Sequence, residues 1–269
     1  MSGTKSVIAM FREQWENRNM LWRLAKNDFK ARYATSFLGV GWAYIQPLCT
    51  VLVLWFVFQV GLRSSDVSGV PFIVWYAPAY LVWSFFQEAV SSMTGGVKEY
   101  HYLVRKVNFR VSLIPTVKLL PSVFVHLGFF VFIICLNLVY GVPLHISNLQ
   151  MVYYFICAIA YAYGLGLICA AVAPFAGDIQ SIVNVAMTVG FWMTPIVWNI
   201  GNVSGTVQKI LKLNPMYYVC NGYRDAYLTH QAFWEHPGLT GYFWAVVFVL
   251  VLVGSHLFRK MSPEFVDVL

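Results

Sequence analysis

Apolar residues in this chain come in long runs rather than in alternation. Six runs stand out, near 37–62, 71–97, 111–140, 150–174, 181–200 and 239–258. An α-helix needs roughly 20 apolar residues to cross a bilayer, and a membrane strand needs strict two-residue alternation. The runs meet the first requirement and fail the second. They predict an all-α membrane protein with six transmembrane helices, built as one domain over residues 37–269.

Two stretches break that pattern. Within residues 1–36, Met10, Phe11, Trp15, Met20, Leu21, Trp22 and Leu24 alternate with Lys5, Arg12, Arg18, Arg23, Lys26, Lys30 and Arg32. Aromatics on one side and basic groups on the other describe an amphipathic helix region lying in the membrane interface. A solvated helix packed on another subunit is the competing reading. The second stretch, 201–238, is long for a connection. Val207, Ile210, Leu211 and Leu213 give one short apolar face, and Asn214-Pro215 interrupts it. Asn214 is suited to cap a following helix with Pro215 at its first position. Val219, Tyr223, Ala226 and Tyr227 then share a face. Neither piece is long enough to span. Together they predict a re-entrant helix pair before the last span, the alternative being two helices resting on the outer surface.

Composition excludes a soluble domain. Of 269 residues, 59% are apolar and only 11% charged, against about 25% charged in soluble proteins. Charge also orients the chain. With the N-terminus inside, the inner segments hold fourteen basic residues: the seven above and Lys98, Arg105, Lys106, Arg110, Lys118, Arg259 and Lys260. The outer ones hold four: Arg63, Lys209, Lys212 and Arg224. Both termini are therefore expected in the cytoplasm of a multi-pass protein. The net charge of +7 is spread along membrane edges, where it meets anionic lipid, and implies no nucleic acid.

Catalytic signatures are missing. No G-x-x-x-x-G-K-[ST] loop, H-E-x-x-H pair or G-x-S-x-G elbow occurs, and the six histidines have no metal-ligand spacing. The five cysteines form no C-x-x-C pair. Glu88 is the most deeply placed acid, and reads either as an interfacial carboxylate or as a coupling group. Two helical stripes carry more information. Phe72, Tyr76, Tyr80, Trp83 and Gln87 follow at spacings of three and four, as do Ser181, Asn184, Thr188, Phe191 and Pro195. Polar groups on one side of a spanning helix face a partner or a wet conduit, and aromatic rings with polar edges suit sugar. Ser181, Asn184, Thr188, Phe191, Trp42, Phe72, Tyr76, Tyr80 and Trp83 are the candidate conduit residues. The short basic loop from Lys98 to Arg110 is either an orientation signal or a docking element.

The run Phe29–Pro47, with Lys30, Arg32, Tyr33, Ser36, Leu38, Gly39, Trp42 and Pro47, resembles the start of membrane subunits of polysaccharide-exporting ATP-binding-cassette (ABC) transporters. Phe86-Gln87-Glu88, the loop Val104–Phe109, Asn214-Pro215 and Tyr223-Arg224-Asp225 resemble further motifs of that family, in order along the chain. Gly177-Asp178 departs from its usual Arg-Asp, which puts an inner-gate role there in doubt. Trp55–Phe58, Gly61–Ser64, Gly69–Phe72 and the ending Phe258-Arg259-Lys260, Asp267 and Leu269 are most similar to wall-teichoic-acid exporters, with O-antigen or capsule exporters as the alternative.

The resemblance implies a permease without a catalytic or metal site, forming a homodimer in the bacterial cytoplasmic membrane. It implies two copies of a separate ATPase, which carry ATP and Mg, docked on Lys98, Arg105, Lys106, Val107, Asn108 and Phe109. It makes Asn214, Pro215, Tyr223, Arg224 and Asp225 an outer gate, and a lipid-linked polymer the substrate. Two readings of other classes compete: a secondary carrier or channel, and a membrane glycosyltransferase.

Overall fold

The computed structural model describes residues 3–34, 36–62, 69–105, 109–143 and 145–268. Two helices open the chain, α1 (Gly3–Glu16) and α2 (Arg18–Tyr33). Helix α3 (Gly41–Trp55) runs on through a π turn to Gly61. Helix α4 (Phe72–Glu99) is followed by the single turn α5 (His101–Val104) and by α6 (Ile114–Val139). Next come α7 (Gln150–Val172), α8 (Ile179–Met193), α9 (Gly205–Leu211) and α10 (Pro215–Arg224). The chain ends with α11 (Pro237–Met261) and α12 (Phe265–Val268). The described residues form no strand.

Among the described residues, four helical stretches are long and apolar enough to cross a membrane: Gly41–Gly61, Val111–Val139, Ile146–Val172 and Pro237–Val268. The other two expected spans correspond to α4 and α8. Helix α4 has the length, but aromatic and polar residues dilute its hydropathy, and neighbouring helices rather than lipid cover most of it. Helix α8 is shorter than the expected 181–200. It stops at Met193, because Pro195 has no backbone N–H to continue the ladder and holds Thr194 extended, at ψ 131°. Its 15 residues rise about 22 Å, less than the roughly 30 Å of a hydrocarbon core.

Helix α4 is the axis of the bundle and packs on α6, α7, α8 and α10. Its buried residues run from Phe72 to Val97 and include Tyr76, Leu81, Trp83, Phe85, Phe86 and Met93. Helices α7 and α11 form the closest pair. A Cβ on Gly164 would come within 2.9 Å of Leu250 Cβ, and one on Gly254 within 2.9 Å of the Gly164 carbonyl. Two glycines facing each other let the backbones approach, as small residues do between membrane helices.

The N-terminal pair is amphipathic as expected, and its apolar side is divided. Met10 is buried, α1 lies on α11, and α2 lies on α6, where Trp22 and Phe29 meet the Phe124 ring edge-on at 5.4 and 6.1 Å. Ile8, Phe11, Trp15 and Trp22 remain exposed. Within 201–238 the chain makes α9, a turn, and α10. The Asn-Pro pair acts as its chemistry predicts: the Asn214 side chain accepts from Met216 N–H at 3.0 Å, and Pro215 opens α10. Helix α10 is buried against α4, α7 and α11, and Val219, Tyr223, Ala226 and Tyr227 are all in the core.

Candidate functional site

One stripe of α4 stays open while the rest is covered. Tyr80, Ser84, Gln87, Glu88, Ser91, Ser92, Gly95, Lys98 and Glu99 recur at three- and four-residue spacing, and all are partly or fully exposed. They share one face of the helix, and nearly all are polar. Helices α3 and α8 both pack on α4 beside this stripe. Helix α8 meets α4 closely at Gly190, where a Cβ would lie 2.9 Å from the Trp83 ring, and only Val183 and Met187 along it are buried.

Two cavities follow the stripe, and a third extends them along α3. A cavity of about 800 Å³ surrounds its charged end, lined by α2, α4, Lys118, Gly177 and Gln180. A second, of about 360 Å³, lies between α3, α4 and α6, with Trp42, Gln46, Thr50, Tyr80, Gln87 and Ser122 in its wall. A third, of about 380 Å³, continues along α3 past Trp42, Gln46, Thr50, Cys49 and Val53. The first two share Arg32 and Glu88, and the last two share Trp42, Gln46 and Thr50. Together they make a groove that is ionic at one end and neutral, with aromatic and amide groups, along the membrane-spanning α3.

The ionic end is a chain of charges. Lys118 donates to Asp28 at 2.6 Å and to Glu99, and its ammonium lies 4.9 Å over the Tyr100 ring. Asp28 also accepts from Tyr100 Oη at 2.9 Å. Arg32 pairs with Glu88, donates to Ser92 Oγ at 2.8 Å, and stands 3.7 Å from Asp28. Lys118 is a lone cation in an apolar helix, tolerated because two carboxylates and a ring face surround it. Gly96 makes room for it: a Cβ there would lie 2.7 Å from Lys118 Cγ. Beside this chain, Gln180 donates to Ser91 at 2.7 Å, and Ser91 donates to Asn184 at 3.3 Å, stitching α8 to the stripe.

The expected conduit residues divide between the groove and the core. Trp42 and Tyr80 line the groove. Ser181, Asn184 and Thr188 are exposed on α8, and Phe191 lies 6.1 Å from Tyr80 and 6.2 Å from Trp83 between ring centroids. Phe72, Tyr76 and Trp83 are buried instead: Phe72 stacks on Tyr76 at 4.8 Å, and Tyr76 donates to the Val51 carbonyl. The aromatic stripe crosses the open stripe only at Tyr80 and Gln87. Asp28, Lys118, Ser84, Ser91, Ser92 and Gln180 were not singled out from the sequence as site residues. The spacing of Ser84, Gln87, Glu88, Ser91 and Ser92 is the visible signal for the three serines.

Of the expected docking residues, Lys98 lines the ionic cavity, and its carbonyl is 3.0 Å from His101 Nδ1. Arg105 follows α5, Phe109 packs partly buried on the core, and α5 touches the terminal α12. Lys106, Val107 and Asn108 lie outside the described residues.

The expected outer-gate residues lie along α10 or at its ends, and each has its own partners. Asn214 donates to Thr194 Oγ1 at 2.8 Å, tying α10 to the end of α8. Tyr223 Oη lies 2.9 Å from His126 Nε2. Arg224 is buried and donates to the carbonyls of Trp75 at 3.2 Å, Pro195 at 2.8 Å and Ile196 at 2.5 Å. Its guanidinium stacks 3.7 Å over the Trp75 ring. Asp225 turns away, accepting from Asn221 at 2.8 Å and Thr229 at 3.3 Å. Burial raises its carboxyl above the ordinary value, partly offset by those two donors and by the neighbouring Arg224 charge.

Among known proteins, the chain is similar to the O-antigen export system permease protein RfbA of Myxococcus xanthus. The two are 26% identical, over 97% of this chain and 99% of that one. It is also similar to two O-antigen export system permease proteins RfbA of Klebsiella pneumoniae, at 22% and 21% identity over 91% of this chain and 93% of each. The pattern of the ABC-2 type transporter family matches residues 19–228, from α2 through α10, and so takes in the whole groove and its charged end. The chain is an integral membrane protein of the ABC-2 type transporter family.

Proposed function

We propose that this chain is the permease of an ATP-driven exporter that moves a lipid-linked polysaccharide of the O-antigen class out of the cytoplasm. The groove on α4 carries the proposal, in a chain similar along nearly its full length to O-antigen export permeases. A polar stripe facing lipid would be costly, so something covers it. Hydroxyls, amides and aromatic rings from Tyr80, Ser84, Gln87, Trp42 and Gln46 suit a sugar polymer, whose faces stack and whose hydroxyls exchange hydrogen bonds. The relatives favour O-antigen over the wall teichoic acid to which the sequence motifs pointed first.

In this reading α4 and α8 complete six spans, both termini are cytoplasmic, and α9–α10 form the re-entrant outer gate. A second copy roofs the groove. Helices α3 and α8 flank it with exposed Leu52, Val53 and Phe56 on one side and Ile182, Val185 and Val189 on the other. An ATPase subunit, two copies per dimer, docks on Lys98, Arg105, Lys106, Val107, Asn108 and Phe109 and supplies ATP and Mg chemistry. The N-terminal pair lies in the interface with its open aromatics in lipid.

The test is purification from the native membrane, followed by reconstitution. Co-purification of an ATPase in equal amount, with hydrolysis stimulated by lipid-linked O-antigen more than by a lipid-linked teichoic acid precursor, is expected. The reverse preference would return the substrate to teichoic acid. A chain that purifies alone and does not support ATP hydrolysis would remove the exporter reading.

A further inference from the structure

We infer that the Arg32–Glu88 ion pair is a latch between the ionic cavity and the track along α3, released when a phosphate-type anion replaces Glu88 on Arg32. The direction of passage, from the ionic cavity into the track, rests on the export reading above. The latch itself rests on the geometry.

Arg32 and Glu88 are the two residues that line both cavities, and they are bonded to each other at the boundary. While the pair holds, it closes the way from the larger space to the smaller. Its two members are unequal. The Glu88 side chain is 55% exposed, whereas that of Arg32 is 25% exposed. Released, Glu88 rehydrates at little cost. Arg32, mostly shielded, keeps the Ser92 and Tyr33 hydroxyls and the more distant Asp28, which Lys118 already holds, so it needs another anion in place of Glu88. A neutral sugar cannot meet that need.

A phosphate fits the vacated place better than a carboxylate does. It can bridge the guanidinium fork and still offer a further oxygen to Ser92 Oγ. The two other cations of the ionic cavity do not stand at the boundary: Lys118 is already held by Asp28 and Glu99, and Lys98 lines the ionic cavity without reaching the second one. Past the latch, Gln46, Thr50, Ser84, Gln87 and Ser122 are all uncharged. The pair is thus the last charged station before a neutral track, and it selects for an anion at the leading end of the cargo.

Native Cys49, exposed on α3 beyond the latch, reports the passage. In inside-out vesicles of the intact complex, a charged, membrane-impermeant methanethiosulfonate is added. Labelling of Cys49 is then followed by mass spectrometry, with Cys135, near the far end of the membrane-spanning α6, as the control that should stay unlabelled. Wild type should label slowly, and Glu88→Gln about tenfold faster, as expected for loss of a charge-assisted hydrogen bond. The exchange R32E/E88R should return the rate toward wild type. Inorganic pyrophosphate, or a prenyl pyrophosphate in the vesicle, should speed labelling of wild type and leave Glu88→Gln unchanged. A response to the lipid alone identifies a lipid headgroup as the opener, and a response to free pyrophosphate shows that the anion itself suffices.

A folded Glu88→Gln that labels at the wild-type rate, or an exchange variant that stays fast, overturns the latch. Silence toward both pyrophosphates overturns the release mechanism. If Glu88→Gln fails to assemble, the response of wild type decides. Labelling reads water access and not export, so a wild-type complex that labels as expected but moves no polymer would defeat the export reading and leave the latch standing.

Discussion

Lys118→Met tests the charge chain at its most buried link. Lys118 is 5% exposed, and its partner Asp28 is 9% exposed, at 2.6 Å. Removing one member of a buried pair costs about 3–5 kcal/mol, because the other charge is left behind. Asp28 keeps the Tyr100 hydroxyl at 2.9 Å and has Arg32 at 3.7 Å, so the loss belongs near the lower end, about 3 kcal/mol. Glu99 adds little, being 61% exposed. The midpoint of thermal unfolding should fall by roughly 6–12 °C for a chain of this size. Combining Lys118→Met with Asp28→Asn should recover a large part, since the pair then leaves no buried charge. The assay is unfolding of the detergent-purified complex, wild type and three variants side by side. A single variant as stable as wild type, or a double variant no better than the single, would refute the pairing argument.

Arg224→Lys should destabilise by about 2–4 kcal/mol, since an ammonium cannot reach three carbonyls and stack on Trp75 together; a melting curve within a degree of wild type would contradict this. Gly222→Ala should cost about 1–3 kcal/mol by driving a methyl into the buried Tyr154 ring, read as lost expression of folded protein, while Gly177→Ala, with open space around it, should be silent. The buried Asp225 carboxyl binds its proton more tightly folded than unfolded. Its contribution is therefore fully present below the unfolded value and lost as pH rises through the folded one. The melting difference between Asp225→Asn and wild type should accordingly grow in favour of the variant as pH rises through that window, and a pH-independent difference would count against it.

What the sequence revealed depended on distance along the chain. Asn214-Pro215 caps a helix through atoms two residues apart, and Pro195 ends one through its own ring, so both can be read locally. The Lys118–Asp28 pair joins residues 90 apart, and no local pattern joins them. The aromatic stripe divides between core and groove for a related reason. Phe72, Tyr76 and Trp83 have the right spacing for a lining, but which face of α4 is open depends on where α6, α7, α8 and α10 come to rest. Ser84, Gln87, Glu88, Ser91 and Ser92 marked that face more faithfully, because polar groups in an apolar helix have few places to go.

Arg224 has a mechanical consequence. Its three hydrogen bonds grip the first turn of α4 and the Pro195-Ile196 turn just after α8. Along its own length α8 buries only Val183 and Met187. Helix α8 is therefore held unequally at its two ends: two hydrogen bonds from a buried guanidinium tie its tip to α10, whereas neutral bonds among Gln180, Asn184 and Ser91 tie its start to α4. In the proposed exporter, widening of the groove would therefore begin at the ionic end, where α8 is held less firmly, and travel toward the Arg224 pin.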